Sequence, residues 1–317
     1  MGPTEQTIFE QFDYWRKALA PLAPLPDEEV TVFVGCGTSY NLALALAARA
    51  NAVGRPAIAV PGDEWTHRAT SYWPRPAKAH VVALSRSGET TETVAAARAS
   101  RAIGAKVTAI TVEPGSSLAK NCDRLVVAET HKAEGIVMTV SASLMVLLTH
   151  LLLGDSIGAG VVTAAETALK TLDREIPALI AGRSHVVFLG GGALYGIALE
   201  GALKLTEMSQ VATQTFHPLE YRHGPISMVE SGTLAVLLYG ADKVESEAKL
   251  ARELQELGAT VLGIGGPGDV TLTVGVQPAL AGLAVLPALQ LLGERMAQSR
   301  GIDTSAPRHL TKVVKLT

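Results

Sequence analysis

The sequence predicts an α/β protein built from two copies of one doubly wound domain, each a parallel sheet flanked by helices. Three observations carry that reading. Short β-branched runs alternate with helical periodicity along most of the chain, as in strands joined by crossover helices. The pattern then starts again: "VFVGCGTSYNLALALA" from Val32 is echoed by "VFLGGGALYGIALEGA" from Val187, and "IGAKVTAIT" from Ile103 by "LGATVLGIG" from Leu257, both at offsets of about 154 residues. Finally, 317 residues with 48 % apolar and 18 % charged side chains are enough for two well-cored domains.

In chain order, the first copy opens with an N-terminal helix and continues through five strand candidates, "TVFVGC", "AIAVPG", "HVVALS", "KVTAITV" and "RLVVAE". Helical spacing lies between them, and an apolar helix from about Val137 to Leu153 closes the copy. "SIGAGVVTAAETALKTLDREIPALIAG" also has helical spacing and reads as a helical linker. The expected domains are residues 1–155 and, with the linker and the tail, 156–317.

A net charge of −3, with Lys and Arg spread throughout, gives no basic face for nucleic acid and no charge block for an interaction tail. The expected ligand is therefore a small molecule. Cys36 and Cys122 cannot build a disulfide framework, and no Cys/His spacing suggests zinc, so a reducing cytoplasm without metal is the expectation. "MGPTEQTIFEQF" lacks the basic start and apolar core of a signal peptide. The most apolar run, "SLMVLLTHLLLG", is too short to span a bilayer, carries His150, and reads as a buried helix.

"VVALSRSGETTETV", Val81 to Val94, is the first stretch that points to chemistry. A strand ends in hydroxyls and a helix begins, the place where an open parallel sheet collects ligands and free backbone N–H groups meet the helix dipole. Ser85, Ser87 and Thr90 can each donate, Gly88 lets backbone approach, and no acid precedes it, which suits a phosphate. Ser39 in "GCGTSY" can add a donor from the neighbouring turn. The alternative is that Ser87 or Thr90 merely caps the helix. No "GxxxxGK" P-loop is present, and "GCGTS" resembles a "GxGxxG" site only weakly. In the second copy the positions of Ser85 and Ser87 are taken by Tyr239 and Ala241 in "LLYGADKVESEA", so the same ligand is not expected there.

The second copy carries a different feature. "IALEGALKLTEMSQ" is apolar or small except for Glu200, Lys204 and Glu207, which share one helix face. An exposed salt-bridged stripe is one reading, but apolar opposing faces favour a deeply packed helix and a buried acid–base stripe. "FHPLEYRHGP" places Glu220, Arg222 and His223 before a rigid Gly-Pro turn, where His217 and His223 read equally as loop histidines. The tail "RGIDTSAPRHLTKVVKLT" ends in an extended segment bearing Lys312 and Lys315, a basic end that could simply be solvated.

Taken together, "CGTSY", "SRSGET", "SSLAKNCD", "ALEGALKLTEMS", "RHGP" and "PRHLTKVV" resemble the double sugar-isomerase (SIS) domain of glucosamine-6-phosphate synthases and of stand-alone amino-sugar-phosphate deaminases and deglycases. The resemblance runs from about Val32 to the end and implies two tandem SIS domains of flavodoxin-like type. It implies phosphate binding by Ser39, Ser85, Arg86, Ser87 and Thr90, with Arg86 where the synthases usually have glutamine. It further implies sugar contacts from Cys36, Gly37, Thr38, Val137, Met138 and Thr311. Glu207 would shuttle the proton between carbons 1 and 2, His223 would open the ring, Lys312 would lie beside the carbonyl, and Glu200 and Lys204 would support them. Since the ring-opening histidine of the synthases comes from the partner subunit, a homodimer with a shared site is implied.

The chemistry agrees with those roles: moving hydrogen between adjacent sugar carbons needs a carboxylate and a donor for the enediolate oxygens, and ring opening needs a group near neutrality. No cofactor or metal is needed. The expectation is of a form without the synthases' amino-terminal glutaminase domain and its terminal cysteine, since no such stretch is read here, and Ser141 stands where their "VASTK" has lysine. "FHPLEYRHGP" is closer to the stand-alone members. The expected activity is conversion of glucosamine 6-phosphate to fructose 6-phosphate and ammonia, with a fructosamine-6-phosphate deglycase or a non-catalytic sugar-phosphate sensor as alternatives.

Overall fold

The computed structural model describes residues 1–314 of the chain; Lys315, named above with the tail, lies outside them. The chain divides into two compact units, one of Glu10–Gly158 with His309–Thr317 and one of Met1–Phe9 with Ala159–Arg308. The ends are therefore exchanged relative to a simple cut after residue 155. Within the second unit, Glu5 in helix α1 (Pro3–Ala18) accepts hydrogen bonds from Arg295 (2.7 Å) and Gln298 (3.0 Å), which ties the amino terminus there. In the first unit, the Arg86 guanidinium holds the Lys312 carbonyl (2.8 Å), which ties the tail there.

The first unit runs β1 (Val30–Gly35), α2 (Thr38–Ala52), β2 (Ala57–Pro61), α3 (Gly62–Tyr72), β3 (Ala79–Leu84), α4 (Thr91–Ala102), β4 (Lys106–Thr111), β5 (Arg124–Val127) and α5 (Val140–Leu152). The five expected strands form one sheet in the order β2-β1-β3-β4-β5, all parallel. β1 and β3 are buried at every position because helices cover both faces, whereas edge strand β5 is half exposed. α5 starts three residues later than the sequence suggests. The carboxylate of Glu134 accepts the N–H groups of Thr139 (2.6 Å) and Ser141 (3.2 Å), so the preceding residues form a turn around it in place of a first helical turn.

The second unit repeats the plan: α6 (Ala159–Ile180), β6 (His185–Gly190), α7 (Ala193–Ser209), β7 (Ala212–Phe216), β8 (Thr233–Leu238), α8 (Val244–Glu256), β9 (Thr260–Ile264), β10 (Val270–Leu272) and α9 (Ala281–Ser299). Its parallel sheet has the order β10-β9-β8-β6-β7, which is the first order read from the other edge. The duplication extends to backbone angles: Gly37 before α2 and Gly192 before α7 have φ/ψ of 54/−125 and 56/−130. Helix α6, expected as a linker, belongs to this unit and buries Val162, Leu169, Leu172, Ile176 and Leu179 on one face. Residues Pro278–Ser299 are long and apolar enough to cross a bilayer, but 78 % of that window is buried, as in a core helix.

Two buried groups in the first unit make its stability depend on pH. His80 donates or accepts at Thr108 (2.9 Å) through Nε2, while Nδ1 has no hydrogen-bond partner. Burial, aided by the charge of Arg55, lowers its pKa from 6.5 to about 4. Asp155 is held well below the usual carboxylate range: burial pushes it up, but hydrogen bonds from His150 and Arg49 outweigh that. Between pH 6.5 and about 4 the unfolded chain binds a proton that folded His80 refuses, so its contribution is intact above that window and is lost as pH falls through it. The contribution of Asp155 is lost only at lower pH. We expect urea-unfolding free energy to drop by up to about 3 kcal/mol across the histidine window. His80→Gln should flatten that window and leave the steeper acid limb; an unchanged slope in the variant would exclude His80 as its cause.

Candidate active site

In a sheet of order 2-1-3-4-5, neighbouring strands β1 and β3 send their connections to opposite faces, which opens a crevice at their carboxyl ends. The two turns singled out in the sequence lie there. Gly35 ends β1, and the chain then passes Cys36 and exposed Gly37 before buried Thr38 and Ser39 in the first turn of α2. Leu84 ends β3, and Ser85 to Thr90 connect it to α4.

Several bonds fix the second turn. The N–H of Gly88 donates to Ser85 Oγ (3.1 Å), that of Glu89 to Ser87 Oγ (3.1 Å), and Ser85 Oγ lies 3.3 Å from Thr90 Oγ1. Gly88 has φ +61, and a Cβ on it would fall 2.1 Å from Ser116 Oγ, so no other residue follows this path without displacing the next loop. "SSLAKNCD" is that loop: Leu118 N–H donates to the Gly88 carbonyl (2.9 Å), and Glu89 accepts from the N–H (2.7 Å) and hydroxyl (2.9 Å) of Ser117. Thr90 occupies the N-cap position of α4, but its side chain makes no capping bond. Plain helix capping therefore does not account for these hydroxyls.

Arg86 is buried, with Nη1 donating to the carbonyls of Gly135 (2.9 Å) and Ile136 (2.9 Å) and Nη2 to that of Lys312 (2.8 Å). Lys312 Nζ donates to the Glu134 carbonyl (2.9 Å). Val137 is buried and Met138 half-buried just beyond, while exposed Thr311 bonds the Val313 carbonyl (3.2 Å). A cavity of about 370 Å³ opens here, lined among others by Arg86, Ser87, His131, Glu134, Lys312 and Val313. Cys36 Sγ sits 3.6 Å from Thr93 Oγ1, and burial pushes its thiol pKa up, which disfavours the thiolate. Sequence reasoning missed Glu134. Its carboxylate also accepts from Ser141 Oγ (2.8 Å) and from Thr130, and the clue was an acid shortly before a Thr/Ser-rich helix start.

In the second unit, α7 carries Glu200, Lys204 and Glu207. Glu200 is 0 % and Lys204 1 % exposed, with Lys204 Nζ 3.5 Å from Glu200 and hydrogen-bonded to Glu207, whose side chain is 20 % exposed. The stripe is thus buried at its root and open at Glu207. Burying such ions costs about several kcal/mol each, offset here by their pairing, and it fixes the Glu207 carboxylate by a buried cation. His223 is exposed on a short turn before Gly224, which has φ +116; His217 stacks on Tyr195 with ring centroids 4.1 Å apart. The stretch expected as a plain turn contains two 3₁₀ segments, Leu219–Arg222 and Pro225–Met228.

The turn after β8 answers to the one after β3 but is closed from within. Gly240 N–H donates to Glu247 (2.8 Å), a buried carboxylate whose pKa burial raises. Tyr239, at the position of Ser85, donates to the Pro267 carbonyl (2.6 Å).

The fold and these two constellations define a class: tandem doubly wound α/β domains, one with a donor-lined turn at its switch point and the other with a buried acid–base stripe. The sequence matches the SIS domain family over residues 25–153 and 179–272, and the chain belongs to that family. It is 27 % identical over 303 residues to a glutamine–fructose-6-phosphate aminotransferase (isomerizing) of Sulfurisphaera tokodaii, covering 92 % of this chain and 50 % of that one. To the enzyme of the same name from Symbiobacterium thermophilum it is 31 % identical, covering 74 % and 43 %. The chain thus spans about half the length of the curated relatives it matches. Among solved structures, glucosamine-6-phosphate deaminase from Thermotoga maritima superposes with a TM-score of 0.87 at 32 % identity over 99 % of this chain and 100 % of that one. Tagatose-6-phosphate ketose/aldose isomerase from Escherichia coli, at 22 % identity and TM-score 0.80, shares the fold.

Proposed function

We propose that the chain is an enzyme that converts glucosamine 6-phosphate to fructose 6-phosphate with release of ammonia. The observation that carries this reading is the end-to-end match, at 32 % identity, to a glucosamine-6-phosphate deaminase. The buried Glu200–Lys204–Glu207 stripe supports it, because a protein that only binds a phosphate has no use for an oriented, partly exposed carboxylate.

The substrate phosphate binds at Ser39, Ser85, Ser87 and Thr90. His223 moves the proton that opens the ring at carbon 1. Glu207 then takes the proton from carbon 2 of the open-chain aldehyde and returns it to carbon 1, while the Lys312 ammonium stabilises the oxygen at carbon 1, which ends as a hydroxyl by taking up a proton as the amine nitrogen gives one up. This leaves the carbon-2 imine of fructose 6-phosphate; water adds to it, the carbon–nitrogen bond breaks and ammonia departs. Each step balances without an oxidant or reductant.

The deciding assay measures ammonia release across hexosamine 6-phosphates and fructosamine 6-phosphates. Glucosamine 6-phosphate should be turned over; release of an amino acid from a fructosamine 6-phosphate instead would make the protein a deglycase, and no turnover at all would make it a sensor. On the active substrate, Glu207→Gln should lower kcat by roughly 100-fold to 10,000-fold, the usual span for a general base. Ser87→Ala should chiefly raise KM. Near-normal kcat in Glu207→Gln would remove the proposed base.

We also propose a homodimer in which His223 serves the partner's site, a reading supported by the exposure of this histidine on the turn before Gly224. Mixing inactive Glu207→Gln with inactive His223→Ala subunits should restore part of the activity once they exchange. No recovery despite proven exchange would contradict a shared site.

A further inference from the structure

We propose that Arg86 is a positioning residue that docks the C-terminal segment onto the loop after β5 and thereby sets where Lys312 presents its ammonium. Three consecutive carbonyls of that loop accept from two cations: Glu134 from Lys312 Nζ at 2.9 Å, and Gly135 and Ile136 from Arg86 Nη1, each at 2.9 Å. The same guanidinium reaches the tail backbone itself, at the Lys312 carbonyl, 2.8 Å from Nη2. A planar guanidinium can hold two segments with two nitrogens at once; a lysine or glutamine at this position cannot.

Both sides of the dock are built to hold still. On the loop side, the buried Glu134 carboxylate gathers the N–H groups of Thr139 and Ser141 and the Ser141 hydroxyl, so carbonyls 134–136 belong to a braced turn. On the other side, the Arg86 carbonyl accepts from Thr111 Oγ1 (2.9 Å), which fixes the backbone from which the guanidinium extends. Lys312 is itself exposed, so its place depends on these contacts and not on core packing. With its fork turned to three carbonyls, Arg86 serves the tail, and phosphate recognition is left to the neighbouring hydroxyls.

The inference rests on the proposed role of Lys312 only for its kinetic consequence. Limited trypsin cleavage after Lys312, whose carbonyl Arg86 holds, and titration with inorganic phosphate read the dock without any turnover, so failure of the dock and failure of the reaction assignment are distinguishable. In Arg86→Gln, cleavage after Lys312 should be about tenfold faster or more, the effect of losing a hydrogen bond to a charged group, while the Kd for inorganic phosphate changes less than about twofold. Where a substrate is turned over, kcat should fall more than KM rises, as in Lys312→Ala. If Arg86→Gln does not fold, Arg86→Lys keeps the buried cation without the fork and should loosen the tail likewise. Unchanged cleavage after Lys312 in the folded variant, or a phosphate Kd weakened about tenfold with the tail still protected from cleavage, would overturn the proposal and return Arg86 to the phosphate.

Discussion

The path of the backbone through Gly88 is the constraint on which the candidate site depends. With φ at +61 and no room for a Cβ against Ser116, this residue lets the turn after β3 lie flat on the loop after β4. Leu118 and Ser117 then bind the turn from below through the Gly88 carbonyl and the Glu89 carboxylate. What remains uncommitted to capping are hydroxyls at the end of a central strand, beside the start of a helix, at a switch point. The same turn carries Arg86, so one backbone segment organises both the hydroxyl cluster and the tail.

Duplication supplied two such turns, and their difference is chemical. Both units have the same strand order and the same glycine geometry before their first crossover helix. In the second, Glu247 presents a carboxylate to Gly240 N–H, and Tyr239 is tied to Pro267. An internal anion thus accepts the donor that a bound one would use, and its charge repels another. The second unit invests instead in α7, where burial of Glu200 and Lys204 leaves Glu207 as the partly exposed end of an ion-paired row. Divergence after duplication put the hydroxyl turn in one copy and the acid–base stripe in the other.

Much of this was legible in the sequence because it is periodic or local. All five strands of the first unit stand where β-branched runs placed them, and the repeat that links Val32 to Val187 reappears as identical sheet order. The stripe on α7 was legible for the same reason: three charges at helical spacing, with apolar residues on the opposing faces, favour a packed helix with a buried stripe over an exposed one. What the sequence did not reveal depends on where long side chains turn and where chain ends pack. Arg86 is adjacent to two serines in sequence, yet its guanidinium reaches residues about 50 and 226 positions away. Glu134 acts by folding back on a helix start, and the amino terminus joins the second unit through Glu5 and Arg295; neither contact leaves a local pattern. The late start of α5 follows from the same carboxylate.

The central claim is that the turn of residues 85–90 is a phosphate site and that its counterpart after β8 is not. A crystal structure of the chain with fructose 6-phosphate tests it most directly. Phosphate density should lie within hydrogen-bonding distance of Ser85, Ser87 and Thr90, with the Gly240–Glu247 contact intact and no anion beside it. A phosphate bound at residues 239–243 instead, or held by the Arg86 guanidinium with the hydroxyls unused, would contradict it.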